Sequence, residues 1–99
     1  MSDQPSTTRP LEEVAREWLA AERRLTANPT ARAEAIAGQL AAEYDLNVRA
    51  ATQEEMRLAW EAARASQARC EMGSEEWAEA RSVSELLRME YTVRQPGRR

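Results

Sequence analysis

The chain contains no His, no Lys and no Phe, and one Cys, Cys70, among its 99 residues. Each absence removes a class of chemistry. Without His there is no Ser–His or Cys–His nucleophile pair, and the zinc sets that include His are impossible. A single Cys closes no intramolecular disulfide and by itself holds neither zinc nor an iron–sulfur cluster. No run of about 20 apolar residues exists, such as a transmembrane helix needs. After Met1 the first stretch, residues 1–9, is polar and lacks the apolar core of a secretory signal. A cytoplasmic location is therefore expected, with no cofactor and no metal.

What is present is alanine and balanced charge. Nineteen Ala stand beside only 13 Leu, Ile and Val, and 14 Arg face 17 Asp and Glu for a formal charge of −3. So few large aliphatics signal disorder only when net charge is also high. Here it is low, and Ala is the strongest helix former. The composition predicts an all-α fold, a compact bundle of about four short helices over a thin core. Burying a Leu-sized side chain contributes roughly 1.5–3 kcal/mol, against about 1–2 kcal/mol to order each residue's backbone. A core this thin favours self-association or a bound protein partner. The Arg-only, Ala-rich usage also fits a GC-rich genome of a bacterium or a bacterial virus.

Periodicity and caps place the elements. Residues 1–9 are expected as a disordered arm, 10–93 as the helical domain and 94–99 as a basic tail. From Pro10 to about Thr26, Leu11, Val14, Trp18, Leu19 and Leu25 recur at three- and four-residue steps, with Thr8 as a candidate cap. Asn28-Pro29 predicts a second helix to Tyr44, ended by Asp45-Leu46-Asn47. Thr52-Gln53-Glu54-Glu55 spells a capping box opening a third helix to about Glu71, stopped at Gly73. That helix has two apolar stripes, Met56, Ala59, Trp60, Ala63 and Cys70 on one side and Leu58, Ala62 and Ala65 on the other, which predicts a helix sandwiched between neighbours. Ser74 caps a fourth helix from Glu75 to about Thr92. Ladders Glu54–Arg57–Glu61–Arg64 and Arg81–Glu85–Arg88 are expected on the solvated faces.

Candidate chemistry is sparse. The pairs Glu12/Glu13, Glu54/Glu55 and Glu75/Glu76 sit at helix starts, where capping and the helix dipole account for them. Cys70 shares a stripe with Met56 and Ala63 and reads as a small buried apolar residue. No enzymatic activity is expected. Trp18, Trp60 and Trp77 fall on apolar stripes, and Trp77 is the one most suited to an interface. The wide arc Trp77, Val83, Leu86, Leu87 and Tyr91 is the candidate partner interface. A two-fold dimer would bury its surplus, with Leu86 and Val83 outward and Trp77 and Leu87 in the core.

A second reading comes from Leu40-Ala41-Ala42-Glu43-Tyr44-Asp45-Leu46-Asn47, which resembles the first helix and turn of bacterial helix-turn-helix repressors. The resemblance covers about 20 residues, with Asp45 where such motifs commonly carry Gly. It implies a DNA-binding regulator using residues 36–64, with Arg49, Gln53 and Arg57 facing nucleic acid. Glu54 and Glu55 would then sit beside phosphates, and the net charge of −3 supplies no basic footprint.

Overall fold

The computed structural model describes residues 9–94, the side chains as far as Val93. They form four α-helices: α1 (Leu11–Ala27), α2 (Ala31–Ala50), α3 (Gln53–Arg69) and α4 (Glu75–Arg94). The expected arm up to Thr8, with its candidate cap, and the tail beyond Arg94 lie outside the described residues. Arg9, assigned to the arm, is held in place, and Arg94 belongs to α4 rather than to the tail.

The helices begin largely where local chemistry says they should. Thr52 accepts from the Glu55 amide at 3.0 Å while the Glu55 carboxylate accepts from the Thr52 amide at 2.8 Å, the full reciprocal box. The Ser74 hydroxyl accepts from the Trp77 amide. Thr52→Ala should remove one of these bonds and lower stability by about 1 kcal/mol, read as a shift in the urea midpoint without loss of helicity below it.

Three boundaries differ from expectation. The cap of α2 is Thr30, not Asn28, because the Thr30 hydroxyl accepts from the Ala33 amide. α2 then runs through Asp45-Leu46-Asn47 to Ala50, where the Ala51 amide closes on the Asn47 and Val48 carbonyls. α3 stops at Arg69, so Cys70 is its C-terminal cap, half-buried, with its thiol donating to the Ser66 carbonyl. Gly73 supplies the positive φ of 89° in the turn to α4.

Successive helices alternate in direction. Arg9, just before α1, reaches Glu43 near the end of α2; Arg23 late in α1 meets Glu79 early in α4; the Gln53 amide at the start of α3 donates to the Tyr91 carbonyl near the end of α4. α3 packs most extensively on α4, and α1 on α2, while α1 also lies against α4 and α3. α1 is thus the shared element. α2 leans almost wholly on it, and the Cα radius of gyration, 14.6 Å, exceeds the roughly 13 Å of a tightly packed chain of this length.

The core is small. Val14 and Ala15 of α1, Tyr44 of α2, Met56 and Ala63 of α3, and Val83 and Leu87 of α4 form one buried cluster. The second stripe of α3 is not covered: Leu58 is 50 % exposed, and Ala62 and Ala65 face solvent. α3 is therefore not sandwiched. Its neighbours α1 and α4 both lie on the Met56–Ala63 side.

Candidate functional site

α4 has three sides. Val83 and Leu87 are wholly buried at its centre, so Val83 faces the core and not outward as the arc on a single helix suggested. Leu87 is in the core as expected. Leu86 and Tyr91 are half-buried and pack against the core cluster. The arc was read around the wrong axis: the buried line runs through Ala80, Val83 and Leu87.

One flank of α4 faces solvent. Leu86, Met89 and Val93 succeed one another at steps of three and four, a spacing that keeps them on one edge. Met89 is 60 % and Val93 76 % exposed. With Glu85, Arg88 and Thr92 these two line a shallow groove of about 310 Å3. Neither Met89 nor Val93 belonged to the interface read from sequence. The signal was present in the 86–89–93 spacing but was hidden by the larger residues beside it.

The other flank meets α3 in a groove of about 350 Å3 walled by Trp60 and Trp77. Trp60 lies against Tyr91 at 5.7 Å between ring centroids, with the Arg64 guanidinium 5.5 Å from its own centroid. Arg81 covers Trp77 at 5.7 Å while also pairing with Glu85. The three tryptophans, expected in the core, are half-buried instead. Trp18 stacks on Tyr44 at 4.9 Å and donates through its indole nitrogen to Glu22.

Charge pairing follows the expected ladders only in part. Glu54–Arg57–Glu61 and Arg81–Glu85 form, and Arg16 also pairs with Glu12 on α1. Glu61–Arg64 and Glu85–Arg88 do not; Arg64 turns onto Trp60, and Arg88 faces the same groove. The residues of the DNA reading are not assembled either. Arg49 pairs with Asp45, Gln53 donates to Tyr91, and Arg57 spans Glu54 and Glu61. α2 and α3 are joined by Ala51 and Thr52 but form no packed seam like that of a helix-turn-helix pair.

The strongest polar cluster ties α1 to α2. Arg9 reaches Glu43 through two nitrogens at 2.9 Å each and Glu17 at 2.8 Å. Its guanidinium holds the Glu43 carboxyl below the usual carboxylate range through that hydrogen bond. The cluster is half-exposed and fixes helices; its one cation is already surrounded by carboxylates. Among the described residues no group of three or more His, Cys, Asp or Glu side chains could hold a metal ion.

The described residues form an all-α four-helix protein that carries an apolar edge and a tryptophan-walled groove on α4. Comparison of the chain with protein-family models, with curated proteins and with solved structures finds no match.

Proposed function

We propose that this is a small non-enzymatic interaction protein that associates with a second copy of itself through the exposed edge of α4. One observation carries the reading: Met89 and Val93, more than half exposed, continue outward from the half-buried Leu86 as an apolar edge of α4. A two-fold axis lets one such edge cover its own copy, each chain contributing the same residues. The spacing suits helix-on-helix packing, where positions three and four apart make a seam. The thin core supplies the motive, because burial at the pair adds apolar area that the single chain lacks.

Light scattering at tens of micromolar should give about twice the chain mass of 11.2 kDa. Met89→Glu with Val93→Glu should return it to a single chain while leaving the circular dichroism spectrum unchanged, since neither side chain is in the core. Leu86→Glu is a poorer probe, because Leu86 also packs on the core and its loss would weaken the fold. A wild-type mass of one chain under these conditions would refute the reading.

A further inference from the structure

The methionines among the described residues stand in three different settings. Met56 has no exposed surface and belongs to the core cluster. Met72, 81 % exposed, sits in the turn between α3 and α4, outside that cluster. Met89, 60 % exposed, is the middle residue of the α4 edge, between Leu86 and Val93. A thioether is apolar, but a hydroperoxide converts it to a polar sulfoxide, and dedicated reductases reverse the change. Leu86 and Val93 carry no such group. Met89 is therefore the one residue of the edge whose polarity oxidation can invert.

We infer that Met89 is a reversible oxidation site whose state decides whether α4 pairs with its copy, an inference that rests on the reading of this edge as a self-association surface. In the step, the sulfur lone pair attacks the terminal oxygen of a hydroperoxide. The S–O bond forms as the O–O bond breaks, and the proton of the attacked oxygen passes to the departing alkoxide, or to hydroxide when the oxidant is hydrogen peroxide. Sulfur loses two electrons and the peroxide gains them. Burial then works against the oxidised chain. The sulfoxide oxygen is a hydrogen-bond acceptor, and a seam of Leu86, Val93 and a second Met89 offers it no donor. In the single chain that oxygen stays in water, beside the Arg88 and Thr92 side chains that line the same groove. A two-fold pair buries both copies, so the penalty counts twice. The coupling also runs in reverse: pairing covers the Met89 sulfur, so the single chain is the form that oxidises faster.

Hydrogen peroxide treatment of the full chain, with Cys70→Ser throughout to remove the competing thiol, tests the inference by light scattering at tens of micromolar and by peptide mass spectrometry. The untreated protein should show the dimer mass. Conversion of Met89 to the sulfoxide should raise the dimer dissociation constant roughly 30-fold, with Met56 still reduced and the circular dichroism spectrum unchanged. Methionine sulfoxide reductases should restore the dimer. Met72→Leu should respond to peroxide as the parent does, because the turn is no part of the edge. Within one sample, the rate of Met89 oxidation relative to Met72 should fall as protein concentration rises, since pairing covers only Met89. A single-chain mass before treatment would remove the self-association reading and this inference together. A dimer that persists once Met89 is fully oxidised, or a peroxide response abolished by Met72→Leu, would overturn this inference alone.

Discussion

Leu87→Ala should lower stability by about 2–5 kcal/mol, the range for removing a fully buried Leu from a core that cannot collapse around the gap. Leu87 has no exposed surface and lies in the one cluster where α1, α2, α3 and α4 all contribute. Most of the cluster around it is small or stiff, Ala15, Ala63, Val14 and Val83, with Met56 the flexible exception, and small side chains have little reach with which to fill a cavity. Small domains are stable by about 5–15 kcal/mol in all, and a core built largely on Ala belongs near the lower figure. The expected readout is a fall in melting temperature of roughly 10–30 °C. Met89→Ala, on the exposed edge, should leave the melting temperature of the isolated chain within a few degrees.

Tyr44→Ala should have the second large effect, about 3–5 kcal/mol, and a distinct one. Tyr44 is the largest buried side chain of α2, whose other buried residue is Ala37. It stacks on Trp18 of α1 with rings 27° apart, and its hydroxyl donates to Glu90 of α4 at 3.4 Å. Cutting it back should release α2 from α1 while α3 and α4 stay paired, so amide protection falls first across residues 31–50. Tyr44→Phe keeps the stack and should cost only about 0.5–1.5 kcal/mol, the share of one hydrogen bond.

The same residue carries a pH signature. Burial, and behind it the adjacent Glu90 carboxylate, raises the Tyr44 hydroxyl above its ordinary value of 10.0. A raised folded value means that the stabilising term is fully present below pH 10.0 and is lost as pH climbs beyond it, because the unfolded chain ionises first. Denaturant midpoints measured upward from pH 10 should therefore fall for the wild type and fall less for Tyr44→Phe. Equal slopes in the two proteins would remove Tyr44 as the cause.

The helices were legible in the sequence wherever a chemical signal was local. The Thr52–Glu55 box and the Ser74 cap need only residues three apart, and both stand where the sequence put them. The end of α2 was illegible because Asp45 and Asn47 are poor helix formers locally, whereas Val48 packs against the core and draws the helix onward to Ala50. The orientation of α4 depended on where α1 and α3 come to rest, which no single-helix pattern contains. Val83 moved inward and Met89 emerged at the surface for that reason. The fate of Arg64 and Arg88 was hidden in the same way. Along one helix each had a carboxylate within reach, and only the packing of α3 on α4 set them on a shared groove lined with tryptophan.

The alternation of helix directions also has a kinetic meaning. Three residues separate α1 from α2, two separate α2 from α3 and five separate α3 from α4. Each hairpin forms by closing a short loop, an event on the order of 10–100 ns for ten residues. The seam between α1 and α4 is different, for it joins the first helix to the last and encloses everything between. Loop-closure entropy rises slowly with length, so this late docking is a moderate barrier in a chain otherwise dominated by near-neighbour contacts. Such topologies fold in microseconds to milliseconds. The side chains that Val14, Val83 and Leu87 bring to that seam thus decide how quickly the two hairpins commit to one another, as well as how firmly they hold.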